Sequence, residues 1–185
     1  MKQKPDLPQR RNTRLRGYNY SQLGSYFVTI CVQHHQCIYG PIIDGKMQLN
    51  ELGRIAIEWW NKIQQHYSSV KTDDYVIMPN HLHGIITLKP VGARSPRPNN
   101  TSPSVGARSP RPKDPPSLGK IVAYFKYQST KHINQKHNTP GTRIWQRNYH
   151  DHIIRDDNDL QRLRQYIQNN PMKWELDKFH PDNIR

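Results

Sequence analysis

Apolar residues recur along the chain with two different periods, and the switches between them predict the order of elements. The run SYFVTICVQ, at residues 25–33, is dense in β-branched and aromatic residues and reads as a first strand. Next, CIYGPIIDGKMQLN holds two short apolar runs on either side of Asp44-Gly45, a pair suited to a tight hairpin turn. Asn50 can cap a helix over ELGRIAIEWWNKIQQHY, where apolar positions return at helical spacing. Two strands, DDYVIMP and HGIITL, then flank the motif PNHLH. Further on, SLGKIVAYFKYQSTKHINQ reads as a second helix. TRIWQRNYHDHIIR reads as a last strand with an irregular start, and DDNDLQRLRQYIQNNPMKW as a final helix with acids at its positive end.

This order predicts an α+β fold, a ferredoxin-like sandwich with one mostly antiparallel sheet and helices packed on it. One segment stands outside the pattern. VGARSPRP at 91–98 recurs unchanged at 105–112, in a stretch too rich in Pro, Ser and Arg to bury a core. Residues 89–117 therefore read as a disordered insertion in a surface loop. At 185 residues one domain is the default, and the expected organisation is a flexible basic arm over 1–16, a domain over 17–175 interrupted by that insertion, and a tail over 176–185.

Charge narrows the partner. The 28 Lys and Arg against 14 Asp and Glu give a net +14, which points to a polyanion and above all to nucleic acid. Arg14 and Arg16 belong to the arm, where six cations face the single Asp6 and suit sequence-blind phosphate contacts. No apolar run approaches the length of a membrane span and no signal peptide is evident, so a cytoplasmic location, nucleoid-associated when bound, is expected. Cys31 and Cys37, with His34 and His35 between them, match no familiar zinc spacing, and Cys31 reads as a reduced core thiol.

The chemistry starts at VIMPNHLHGIITL. Two residues apart in a strand, His81 and His83 face the same side while Leu82 points into apolar packing. Such a pair serves either as two metal ligands or as two partly buried histidines bonded to backbone. Ile85 stands where a histidine-triad hydrolase would carry its third histidine and where a metallo-β-lactamase-like site would carry Asp; no His-Glu-x-x-His occurs. What remains is a two-histidine site needing a third ligand from elsewhere.

The last helix offers one. At about 100° per residue, Leu163, Ile167 and Trp174 form its buried stripe, and Tyr166 and Asn170 lie four apart on the shoulder. Pro171 should end the helix just beyond them. A shoulder tyrosine is commonly a packing residue, and spacing alone leaves packing and catalysis both open.

These residues carry a resemblance. PNHLHGII resembles the His-hydrophobic-His (HUH) motif of single-strand DNA endonucleases. With WQRNYHDHIIR, YIQNNP and the early RGYNYSQLGSYFVTICVQ, it resembles the REP-associated tyrosine transposases over about 17–90 and 118–175. The resemblance implies that His81 and His83 bind a divalent metal, Mg²⁺ or Mn²⁺, with Asn170 as third ligand. It also implies that Tyr166 attacks single-stranded DNA beside a palindromic hairpin, leaving a 5′-phosphotyrosine that a second 3′-hydroxyl can reverse. The repeat insertion departs from the family core. Monomers and homodimers both occur among such proteins.

Other residues take supporting roles in this reading. His152, and less so His150, stand near enough in sequence to IIR to support metal or phosphate. Trp145, Gln146 and Tyr149 are candidates to stack on or bond unpaired bases, with core packing the favoured role for Trp145, and Arg143, Arg147 and Arg155 are candidates to contact phosphates. Tyr124 and Tyr127 are rival nucleophiles. Tyr127 has Lys131 four residues on, which cannot ligate while charged; Tyr124 has Gln128 there but lacks the YIQNNP context. Two other functions compete, a domesticated hairpin-binding protein that does not cut and an RNA-hairpin binder.

Overall fold

The computed structural model describes residues 15, 17–90 and 115–184. Arg14, Arg16 and the rest of the basic arm apart from Leu15, like positions 91–114 of the repeat insertion, lie outside the described residues.

β1 (Gly24–Cys31) leads into a small hairpin, β2 (Ile42–Ile43) and β3 (Lys46–Met47). Asp44 and Gly45 both take positive φ there, as the two-residue turn requires. α1 (Glu51–His66) follows, and the Asn50 side chain accepts from the Gly53 N–H, satisfying one orphan donor at its start. β4 (Val70–Met78) and β5 (His81–Leu88) are joined through Pro79 and Asn80 alone. α2 (Leu118–His137) is capped by Ser117, β6 (His150–Ile154) is short, and α3 (Asp157–Asn169) is capped by Asp156. The chain closes with 3-10 turns at Pro171–Leu176 and Pro181–Asn183.

β1, β4, β5 and β6 form one antiparallel sheet in the order β4-β5-β1-β6. Leaving the small hairpin aside, β1-α1-β4-β5-α2-β6 is the ferredoxin-like succession expected from the sequence. Helices cover both faces. Leu82, Ile86, Val28 and Ile30 point toward α1 and α2, where Trp60 and Phe125 complete the main core. Ile85 and Phe27 point the other way and meet Leu163 and Ile167 of α3. The alternation along β5 thus serves two hydrophobic layers and places His81 and His83 on the α3 side.

Two features set that geometry. At Gly84, an added Cβ would come within 2.3 Å of Trp60 Cζ2, so only hydrogen lets the fully buried indole lie flat on β5. Gly84→Ala is expected to cost about 1–3 kcal/mol through overpacking, read as a lowered denaturation midpoint; an unchanged midpoint would mean the indole has room to move. β4 also carries a register shift between Thr72 and Tyr75. It turns Asp73 and Asp74 toward α3, where Arg164 pairs with Asp73 and Gln168 donates to Asp74 at 2.9 Å. Those two contacts dock the helix that carries Tyr166.

The structure extends packing beyond the boundary expected at 175. Asp177 and Phe179 are buried, and Asn80 donates from Nδ2 to the Phe179 carbonyl at 2.6 Å. Cys31 is a buried free thiol, pushed up to about 12 by burial, and Cys37 is exposed.

Candidate active site

His81 and His83 open β5 and are fully enclosed. Their Nε2 atoms converge to 3.0 Å. Each ring is held from behind: His81 Nδ1 lies 2.8 Å from Asn80 Oδ1, and His83 Nδ1 lies 2.8 Å from Thr29 Oγ1 on the neighbouring strand. Partners of this kind fix the orientation of metal-ligating histidines. Phe27 stacks on His83 with ring centroids 5.3 Å apart, and Phe179 covers His81 at 4.9 Å.

α3 brings Tyr166 to this pair. Its hydroxyl lies 3.4 Å from His83 Nε2 and its ring meets both His83 and Phe27 edge-on. Asn170, the last residue before Pro171, is buried, and its Oδ1 has no hydrogen-bond partner. An orphaned amide oxygen of this kind costs free energy unless something electropositive meets it. Asp177 approaches from the C-terminal segment, with Oδ2 3.8 Å from His81 Nε2. One donor atom from each of His81, His83 and Asp177 lies within 4.8 Å of the others.

Burial sets the protonation states. His83 is pushed down to about 3 by burial and secondarily by Lys178. Burial, then the neighbouring His83, holds His81 well below the ordinary histidine value. Both imidazoles are therefore neutral at pH 7, with a lone pair available to a cation. Burial raises the Tyr166 hydroxyl above the usual tyrosine value, with Asp177 adding to it and the Asn170 side chain pulling the other way. Asp177 is raised by burial as well, against the Phe179 N–H and Lys178.

Depressed histidine values tie stability to pH. The unfolded chain takes up protons at about pH 6.5 that the folded imidazoles refuse, so the stabilisation is fully present above that pH and is lost as pH falls toward 3. Asp177, raised when folded, acts with the opposite sign near the carboxylate range. Between pH 7.5 and 5.5 the histidines dominate, and thermal melts in EDTA should show a falling midpoint. A flat profile would contradict neutral burial of the pair.

Beside Tyr166 opens a cavity of about 620 Å³ whose lining includes Arg162, Asn170, Lys173, Asp177 and Lys178. Arg162, Lys173 and Lys178 give this cavity a cationic lining.

A search of family models finds none that matches this chain. Its fold is shared by a solved structure described as a REP-associated tyrosine transposase bound to a REP hairpin, with a TM-score of 0.57, 18% identity, and coverage of 89% of this chain and 76% of that one. A Haemophilus influenzae protein named "Uncharacterized protein" is 38% identical over 174 residues, 94% of each chain. A second protein of that organism, "Putative REP-associated tyrosine transposase", is 27% identical over 183 residues, covering 89% of this chain and 84% of its own length. The chain is similar in sequence to a protein named as a REP-associated tyrosine transposase and shares the fold of another.

The structure brings together His81, His83, Tyr166 and Asn170, and parts them from the other candidates. Trp145 is buried and donates its indole N–H to Ser129 Oγ at 2.9 Å, which is the core-packing role and not base stacking. Tyr149 is likewise buried. Gln146 is engaged from Nε2 with the Val32 carbonyl and with His35. His152 pairs with Asp159 at 2.7 Å, on the same sheet face but away from the His81–His83 pair. His150 shares a sheet row with Thr29 and His83 and lies 6.4 Å from Phe179. Arg147 and Arg143 are exposed, and Arg155 lines a separate shallow cleft with His152 and Arg162.

Sequence reasoning missed Asp177, Lys178 and Phe179. The one signal available was three apolar residues, Trp174, Leu176 and Phe179, among charged ones in KWELDKFHP, at spacings of two and three that give them no common face.

Proposed function

We propose that this protein is a metal-dependent single-stranded DNA transposase that cleaves and rejoins DNA next to palindromic hairpins, with Tyr166 as nucleophile. The observation that carries this reading is the approach of the Tyr166 hydroxyl to 3.4 Å from His83 Nε2, itself 3.0 Å from His81 Nε2. Two neutral imidazoles and the unpartnered Asn170 oxygen make a nitrogen-and-oxygen set suited to Mg²⁺ or Mn²⁺, and Asp177 stands close enough to add a carboxylate. When bound there, such a cation withdraws charge from a scissile phosphate and orients it.

The chain's own residues do the rest. Lys173 and Lys178 beside the cavity neutralise the strand's phosphates, and the solved relative's hairpin suggests the form that strand takes. Tyr166 forms a bond from its oxygen to phosphorus as the bond from phosphorus to the 3′-oxygen breaks. The tyrosine proton passes to water in the open cavity, and the departing oxygen takes up a proton to become a free 3′-hydroxyl. The 5′-phosphotyrosine conserves the phosphodiester linkage, so a second 3′-hydroxyl can displace Tyr166 and join strands. The basic arm over 1–16 adds salt-sensitive, sequence-blind affinity in this scheme.

The test incubates the protein with labelled single-stranded hairpins taken from palindromes flanking its own gene, with Mn²⁺ or Mg²⁺, and reads a denaturing gel. A metal-dependent covalent adduct is expected. Tight hairpin binding without an adduct in either metal would replace this reading with a non-cleaving hairpin-binding protein.

A further inference from the structure

Asn80 makes three hydrogen-bond contacts from one fully enclosed side chain, and two of them decide the third. Nδ2 reaches the His35 carbonyl at 3.1 Å and the Phe179 carbonyl at 2.6 Å. Main-chain carbonyls accept only, so both contacts require the amide nitrogen, and the orientation of the Asn80 amide is settled without reference to its neighbour. Oδ1 is thereby turned to His81 Nδ1, 2.8 Å away. An amide oxygen also accepts only. His81 must then carry its proton on Nδ1 and present a bare lone pair at Nε2, toward His83 and Asp177.

We propose that Asn80 is the positioning residue of the metal site, fixing the His81 tautomer and tying the segment that carries Asp177 to the same point. The local fold supports both parts. Pro79 and Asn80 are the whole connection between β4 and β5, so Asn80 has little freedom to swing away. Its own carbonyl accepts from the Val32 N–H at 2.8 Å, and the Tyr39 N–H donates to the Pro79 carbonyl at 3.2 Å, pinning the turn on both sides. Phe179, held by its carbonyl, stacks on His35 with centroids 5.4 Å apart and covers His81. Thr29, by contrast, leaves His83 free to change tautomer, because a hydroxyl both donates and accepts. One histidine of the pair is locked and the other adjusts.

The metal-affinity part of this proposal rests on the reading of His81 and His83 as ligands; the tautomer part does not, and the two are measured separately. Long-range ¹H–¹⁵N correlation spectra of the metal-free full-length protein report which ring nitrogen of His81 bears hydrogen, with His81→Gln giving the assignment. Mn²⁺ affinity is read by calorimetry without DNA. In the unsubstituted protein His81 should show protonated Nδ1 and bare Nε2. Asn80→Asp keeps an acceptor facing Nδ1 and should preserve that tautomer, while losing both donors to the carbonyls and exposing the 177–180 amides to faster hydrogen exchange. Asn80→Ala should lose the single tautomer and weaken Mn²⁺ binding by about 10- to 100-fold. Protonated Nε2 on His81 in the unsubstituted protein would overturn the proposal, as would an Asn80→Ala protein with tautomer and affinity intact. If Asn80→Ala does not fold, Asn80→Asp decides alone: a retained tautomer supports the role and a lost one refutes it. Absence of a DNA adduct would bear on the transposase reading and leave these spectra untouched.

Discussion

Tyr166→Phe is expected to abolish the covalent protein–DNA adduct while leaving the folded state essentially unchanged. The substitution removes one oxygen. The ring keeps its edge-on contacts with Phe27 at 5.9 Å and His83 at 5.2 Å, and the residue is already 42% exposed. The hydroxyl's long contact with His83 contributes no more than about 1 kcal/mol, so the denaturation midpoint should barely move. Activity, in contrast, has no second route to a covalent intermediate. Tyr124 packs against His66 and Tyr67 on the α2 side of the sheet, and Tyr127 lies exposed on the same helix. Neither reaches the histidine pair. Adduct formation should fall below detection, a loss of at least about 10³-fold. An adduct that survives the substitution would point to a different nucleophile.

His83→Ala should remove metal binding and strand cleavage together. His83 Nε2 is the atom shared by the contacts to His81 and Tyr166, so its loss takes one ligand and unseats the nucleophile's neighbour. Mn²⁺ affinity should drop by more than about 100-fold, beyond what removal of an outer supporting residue brings. Stability falls too, because the substitution leaves a void beneath Phe27 and strips Thr29 of its buried partner; the cost is about 1–3 kcal/mol. Calorimetry on a sample shown to be folded by circular dichroism separates the two effects. Unchanged Mn²⁺ binding would mean that the metal, if any, sits elsewhere.

Which parts of this site could be read from the chain depends on whether the physics was local. Period-two alternation placed His81 and His83 on one face because β5 is regular, and Asn50 announced α1 because capping needs only four residues. Tyr166 and Asn170 were legible as a shoulder pair because helical geometry fixes their relation to Leu163 and Ile167. The rest of the site is made by contacts between distant segments. Asp177 and Phe179 come from a stretch without periodicity, and what holds them is a bond from Asn80, 99 residues earlier. β4 was expected to start at Asp73 and begins at Val70, since the polar Lys71 to Asp74 belong to a distorted strand whose acids serve α3. Trp145 reads as a core residue from its apolar bulk, but nothing nearby in sequence marks Ser129 as its partner.

The polarity of β5 separates two kinds of change. The histidines stand at its first residues and the repeat-bearing connection follows its last, seven steps and roughly 23 Å away at the usual rise of a strand. The cost of closing a loop grows slowly with its length, by about 0.6 kcal/mol for each doubling. The two VGARSPRP copies, fourteen residues apart, have the form a tandem duplication leaves. At the near rim the whole link is Pro79 and Asn80, and one extra residue would shift the register of both histidines. The sheet insulates its chemistry from growth at one rim and forbids growth at the other, so the chain can acquire new sequence without renegotiating its reaction.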